Sequence, residues 1–120
     1  VPTRRKIVAV VDDDSSMRVG LERLLQAHGF DTEVFASAEA FLGAASRADY
    51  LLLDIHLGGM GGFELCRQLA SSGSRLPVIF MTAFDDEGTR REAASAGCIA
   101  YLRKPFAGKL LIEAIAHATN

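Results

Sequence analysis

Four short runs rich in Val, Ile and Leu and a fifth, more polar one, each followed by a stretch with helical periodicity, constrain this 120-residue chain more than any other feature. Apolar runs of this length with little polar alternation suit strands covered on both faces, the condition of a parallel sheet sandwiched between helices. Lys6 to Val11 is the first, and it stops abruptly at Asp12, Asp13 and Asp14. Tyr50 to Leu53 ends on Asp54, Val78 to Met81 follows Pro77 and ends on Thr82, and Ile99 to Leu102 runs to Lys104-Pro105. Thr32 to Ala36 is more polar and better suited to a sheet edge. Strands alternating with helices predict an α/β domain, a doubly wound parallel sheet with right-handed crossovers and helices on both faces.

The helical segments have recognisable ends. Ser15 or Ser16 can cap a first helix with Met17, Leu21, Leu24, Leu25 and His28 on one face, and Gly29 is placed to end it. Ser37 opens a short second helix with Phe41, Leu42 and Ala45 inward. Residues 58 to 62 hold four glycines and read as a loop, after which Phe63, Cys66, Leu69 and Ala70 trace a third helix. Asp86 to Ala96 has helical composition but only a weak stripe of alanines, so a fourth helix should be loosely held, with Gly97 ending it. Leu111, Ala114, Ile115 and Ala118 give the face of a fifth.

At 120 residues, 49% hydrophobic, 23% charged and with a formal net charge of -2, the chain is sized and composed for one domain with its own core, residues 1–120. Nothing in that charge balance points to nucleic acid. Cys66 and Cys98 lack the spacing of a zinc site or a disulfide framework and read as small buried hydrophobes. No apolar run approaches the roughly 20 residues of a membrane span, and no signal-peptide pattern opens the sequence, so the expected compartment is the cytoplasm and no membrane partner is expected.

The residues that can carry chemistry fall at the carboxyl ends of strands, where an open α/β sheet binds ligands. Carboxylates gathered at Asp12, Asp13 and Asp54 repel unless protonated or bridged by a cation, and oxygen ligands on a partly hydrated site suit Mg²⁺, with Mn²⁺ an alternative. A carboxylate can also accept a phosphoryl group covalently, a transfer that needs little beyond positioning and charge neutralisation. Thr82 and Lys104 supply a hydroxyl and an ammonium group. Each feature alone has a plainer explanation: a turn or cap for the aspartates, a cap near Asp85 for Thr82, a solvated side chain for Lys104. Their coincidence at four strand ends favours the chemistry.

Val-Val-Asp-Asp-Asp at 10–14, Leu-Leu-Leu-Asp-Ile-His-Leu at 51–57, Met-Thr-Ala at 81–83 and Tyr-Leu-Arg-Lys-Pro-Phe at 101–106 together resemble the receiver domain of two-component response regulators, over essentially the whole chain. The resemblance implies a flavodoxin-like fold with strand order 2-1-3-4-5 and five helices. It implies that Asp54 is the phosphoacceptor, that Asp13 binds the metal directly and Asp12 largely through water, and that the backbone carbonyl of His56 completes the metal site. By the same resemblance Thr82 is the switch hydroxyl, Lys104 pairs with the phosphoryl group, Tyr101 is the aromatic switch, and Lys104-Pro105 is cis. The implied partners are a sensor histidine kinase, a second receiver paired through the fourth helix and fifth strand, and a C-terminal DNA-binding output domain that is not in this chain. Such a domain is a phosphoacceptor rather than an enzyme acting on other substrates. It would control transcription through the face made by the fourth helix, fifth strand and fifth helix.

Ser-Ala-Glu-Ala-Phe-Leu at 37–42 with Lys-Pro-Phe is similar to receivers of the FixJ type. The departures from receivers lie around Asp54. Gly58 stands where proline is common and Gly61 where a polar residue is common, so the loop is expected to be mobile. His56 reads first as a solvent-exposed side chain, the alternative being an imidazole beside the pocket that acts on attacking water or adds a pH dependence, and Phe84 can shield an acyl phosphate. Asp14 is expected to belong to the helix start. A different class also reads Asp12 to Ser16: a haloacid dehalogenase-like phosphatase with Asp12 as nucleophile and Asp14 as general acid. That reading leaves Asp54 unexplained and finds only Glu113 downstream of the lysine.

Overall fold

A computed structural model describes residues 4–119. Along the chain it forms β1 (Ile7–Val11), α1 (Ser15–Ala27), β2 (Asp31–Phe35), α2 (Ala38–Gly43), β3 (Tyr50–Asp54), α3 (Gly62–Ser71), β4 (Val78–Thr82), α4 (Glu87–Ser95), β5 (Ala100–Arg103) and α5 (Gly108–Thr119). The strands make one parallel sheet in the order β2-β1-β3-β4-β5, the fold expected from the sequence. Strand periodicity divides the core in two. Val8, Val10, Leu52, Ile79 and Met81 face α1 and α5, meeting Leu21, Leu25, Leu111 and Ile115. Ala9, Val11, Leu51, Leu53 and Phe80 face the other way, meeting Ala38 and Phe41 of α2, Leu65 of α3 and Ala93 of α4. The order reversal beside β1 opens a crevice at the carboxyl ends of β1 and β3, and the register that pairs Val11 with Leu53 brings Asp12 and Asp54 to its rim.

Several local readings are corrected. The cap of α1 is Asp14, whose Oδ1 accepts from the Ser16 N–H at 2.9 Å and the Met17 N–H at 3.3 Å, so neither serine caps it. His28 is the C-cap and is exposed, its Nδ1 2.9 Å from the Leu24 carbonyl, while Gly29 turns the chain at φ +89°. Leu42 within α2 and Ala45 beyond its end at Gly43 are both exposed, and Phe41 carries the inward contact. Gly62 belongs to α3; the helix buries Leu65 completely and leaves Ala70 exposed. The outer strands shift by a residue: β2 begins at Asp31, and Ile99 precedes β5 with an exposed side chain, although its N–H already donates to the Val78 carbonyl. Cys66 and Cys98 are half-buried free thiols; burial pushes Cys66 up to about 11 and also raises Cys98. The weak stripe of α4 is as expected, with Ala93 its single buried residue and Asp86 its cap.

Candidate functional site

Asp12 follows β1 and is wholly buried, which a carboxylate tolerates only when its oxygens are satisfied. Its Oδ1 accepts from the Asp14 N–H at 2.9 Å and its Oδ2 from the Lys104 ammonium at 2.6 Å. Arg18 donates to the Asp12 carbonyl at 2.8 Å, tying the first turns of α1 to the strand end. Asp54 closes β3 with only 6% of its surface exposed. Its Oδ1 accepts from the His56 N–H at 3.0 Å and its Oδ2 from Lys104 at 3.1 Å. Asp13 is exposed, yet the three aspartates offer carboxylate oxygens that all lie within 4.8 Å of one another.

Lys104 reaches this cluster from the turn after β5, where its peptide bond to Pro105 is cis and its N–H donates to the Thr82 carbonyl at 2.7 Å. Burial alone would lower the ammonium's pKa, but its hydrogen bonds to Asp12 and Asp54 outweigh that and hold it raised. Asp54 is pushed up, first by burial and further by the Asp12 charge, against the opposing pull of the His56 N–H and Lys104. One ammonium group thus bridges two buried carboxylates, while Asp13 adds a further exposed acid at the rim. The donor set fits a divalent cation: it is all oxygen, partly open, and carries more negative charge than Lys104 neutralises. Asp12, Asp13 and Asp54 are the side chains that would hold it.

Thr82 is fully buried at the end of β4 and its Oγ1 accepts from the Phe84 N–H at 2.9 Å, so it shapes the turn after the strand while Asp86 caps α4. His56 is exposed and meets the ring of Phe84 edge to face, centroids 5.1 Å apart. Phe84 itself is 67% exposed, a large apolar side chain standing at the rim. Tyr101 is half-buried and donates from its hydroxyl to Asp85 Oδ1 at 3.0 Å. Arg90 grips the same carboxylate with both ends of its fork, at 2.7 and 2.6 Å. The sequence reading missed Asp85 and Arg90, although an Asp-x₄-Arg pair beside a predicted helix start was there to be noticed.

Asp14 is absent from the acidic cluster because its carboxylate caps α1, which removes the general acid that the phosphatase reading required. The cleft between α3 and α4, about 300 Å³ and lined in part by Phe63, Cys66 and Glu92, includes none of the cluster's residues. Chemistry therefore belongs to the open strand-end site rather than to that cleft.

Comparison with known proteins agrees with this geometry. The response regulator receiver domain matches residues 8–116. This chain belongs to that family. Among its relatives, the response regulator MprA of Mycobacterium avium (strain 104) is 39% identical over 102 residues, covering 83% of this receiver and 45% of MprA. MprA of Mycolicibacterium vanbaalenii is 38% identical over 102 residues, with 83% and 44% covered. The receiver thus spans about half the length of the curated relatives it matches. Among solved structures it superposes on FixJ-N with a TM-score of 0.87 at 35% identity, covering 97% of this receiver and 94% of that chain. A response regulator receiver protein from Burkholderia phymatum gives a TM-score of 0.84 at 40% identity, with 94% of each covered. The response regulator StyR gives 0.86 at 39% identity, with 95% of this receiver and 59% of StyR covered.

Proposed function

We propose that Asp54 of this receiver accepts a phosphoryl group from the phosphohistidine of a sensor histidine kinase, in a Mg²⁺-dependent transfer. The observation that carries the proposal is the Lys104 ammonium shared between Asp54 and Asp12, with Asp13 close enough to complete an oxygen-lined cation site. A carboxylate oxygen of Asp54 attacks phosphorus; the new P–O bond forms as the P–N bond to the donor imidazole breaks and the imidazole leaves. Held by Asp12, Asp13, Asp54 and the His56 carbonyl, Mg²⁺ (or Mn²⁺) would neutralise charge on the phosphoryl oxygens. Lys104 moves its ion pair from Asp54 to the phosphoryl group, and Thr82 exchanges its hydrogen bond from the Phe84 N–H for one to a phosphoryl oxygen. The chain acts as an acceptor, catalysing only its own phosphorylation and dephosphorylation.

The readout follows from the turn that Thr82 shapes. Movement of Thr82 draws on the β4–α4 turn, which carries Asp85, and so on Tyr101 and α4. The face made by α4, β5 and α5 then favours pairing with a second receiver or release of an output domain, a population shift between two conformations. In a longer regulator, that output would be DNA binding and transcription control in the cytoplasm.

Incubation with Mg²⁺ and acetyl phosphate tests the acceptor. The expected product is a phosphoryl adduct, stable in acid and labile in base, located by mass spectrometry on the peptide containing Asp54. It should be absent from Asp54→Asn and from samples treated with a chelator, and retained in Asp14→Asn. An adduct forming on Asp54→Asn at the wild-type rate would show that the acceptor lies elsewhere.

A further inference from the structure

The loop between β3 and α3 follows Asp54 directly and carries His56, yet its composition gives it little stiffness. Gly58, Gly59 and Gly61 each lose more backbone freedom on ordering than any other residue would. The two ends of the loop are fixed. At the first, the Ile55 N–H donates to the Met81 carbonyl and the His56 N–H to Asp54 Oδ1, both at 3.0 Å. At the second, the Gly62 N–H donates to the Ile55 carbonyl at 3.0 Å, and α3 approaches so closely that a Cβ on Gly62 would lie 2.7 Å from the Asp54 carbonyl oxygen.

Between those ends, among the described residues, the backbone N–H groups of residues 57–61 make one hydrogen bond. It runs from Met60 to Glu39 Oε2, at 3.2 Å. Glu39 belongs to the first turn of α2, so the bond crosses from one helix to another element's loop. The seat is shaped for that carboxylate: Gly59 turns at φ +72°, and a Cβ there would lie 2.6 Å from Glu39 Oε2. Leu57 and Met60 pack against the core on the same side, which leaves the Glu39 contact as the polar anchor of the loop's crest.

We propose that Glu39 is a positioning residue: by holding the Met60 amide it keeps the glycine-rich loop, and with it the His56 backbone, in the conformation that lets Asp54 and the neighbouring acids bind a divalent cation. The inference rests on the reading of Asp54 as a Mg²⁺-dependent phosphoacceptor. Glu39 acts through reach and hydrogen bonding, not through its charge. It does not touch the reacting atoms. Loop mobility expected from the glycines is thereby restrained by a side chain from a distant stretch of sequence.

Three variants separate reach from charge. Glu39→Gln keeps an acceptor oxygen at the same reach and loses the charge; Glu39→Asp keeps the charge and falls one methylene short; Glu39→Ala loses both. Glu39 is exposed, so all three should keep the wild-type fold by circular dichroism. Two readouts require no phosphorylation: hydrogen exchange of the Met60 amide, and the Mg²⁺ concentration that half-saturates the amide shifts of residues 54–62 by NMR. In Glu39→Asp and Glu39→Ala, Met60 exchange should quicken and half-saturation rise, each by about three- to tenfold, the size expected on losing one exposed hydrogen bond. Glu39→Gln should stay within about twofold of wild type by the same measure. Unchanged Met60 exchange in Glu39→Ala, or Glu39→Asp resembling wild type while Glu39→Gln does not, would overturn the proposal. A third readout, the rate of labelling by acetyl phosphate, should show a raised KM for Mg²⁺ with kcat nearly unchanged. Failure of the wild type to label, with Mg²⁺ binding and the Met60 effect intact, would count against the acceptor reading and leave the Glu39 clamp supported.

Discussion

Lys104 shows how much one side chain can settle. It is the cation that both Asp12 and Asp54 hold, with 16% of its own side chain exposed, so its loss leaves two buried acids facing each other. Lys104→Met should destabilise the metal-free protein by about 1–3 kcal/mol. Mg²⁺ should then stabilise the variant more than it does the wild type, because the ion binds the folded state and replaces the missing charge. Urea unfolding with a chelator and with Mg²⁺ measures both effects, and equal Mg²⁺ responses in the two proteins would contradict this account. Gly62 is the converse case, a residue whose lack of a side chain is what the site uses. Backbone atoms of Asp54 and Ile55 stand where its Cβ would be, at 2.7 and 2.9 Å, and neither can swing aside. Gly62→Ala should cost about 1–3 kcal/mol in a urea melt and slow labelling of Asp54, by pushing α3 away from the strand end. The sequence made Asp12, Asp54 and Lys104 legible as a group because each sits at the carboxyl end of a strand. It could not reveal that Glu39 meets Met60, since that contact depends on the angle at which α2 leaves the edge of the sheet.

At the scale of elements, α4 differs from its neighbours in what holds it. α1 and α5 each bury two large side chains, Leu21 with Leu25 and Leu111 with Ile115; α4 buries Ala93 alone. Its other anchor is polar: Arg90 of α4 and Tyr101 of β5 converge on Asp85, whose side chain is 7% exposed. The Arg90 hydrogen bonds, aided by Tyr101, hold Asp85 down at about 2, while burial and the Asp85 contact push the Tyr101 phenol up to about 12. Because the folded pKa of Asp85 lies below its unfolded value of about 3.9, its stabilisation is complete above that value and disappears as pH falls through about 2. Between about pH 4 and pH 2 the amide shifts of Arg90 and Tyr101 should therefore move together, at lower pH than the amides beside Asp54, whose carboxyl burial pushes up. Asp85→Asn should quicken hydrogen exchange across Glu87–Ser95 at neutral pH and leave α1 unchanged. Equal effects on α1 and α4 would mean that Asp85 supports the whole fold and not this helix. The weak stripe of alanines announced a loosely held helix; of the latch, the Asp85 and Arg90 pair was visible in the sequence, but Tyr101 was not, because it joins from a separate strand. The misplaced Ala45 arose from a similar limit, periodicity extended past the point where α2 ends at Gly43, whereas Leu42 lies within the helix and is simply exposed.

Across the whole molecule, the centre of the sheet and its β5 margin divide the work. The strands β1, β3 and β4 are buried along most of their length and shared by both cores, so they cannot shift without disturbing Leu21, Leu111 and Leu65 together. The β4–α4 turn, α4 and β5 lie at one margin, connected to the acidic cluster through Thr82 and Lys104 and to solvent through weakly buried side chains. A change of charge at Asp54 should therefore be expressed at that margin and not in the sheet centre. Beryllofluoride with Mg²⁺, standing in for the phosphoryl group, supplies the test. Amide exchange should change at residues 82–103, while β1 and the buried face of α1 keep their protection. Tyr101 should change with them, since its hydroxyl partner Asp85 lies in the turn that Thr82 shapes. Asp54→Asn should abolish the response, and Thr82→Ala should keep beryllofluoride binding while uncoupling Tyr101 from it. If Tyr101 still responds fully in Thr82→Ala, the signal leaves the site by another route, and Lys104, which also joins β5 to the cluster, becomes the group to follow.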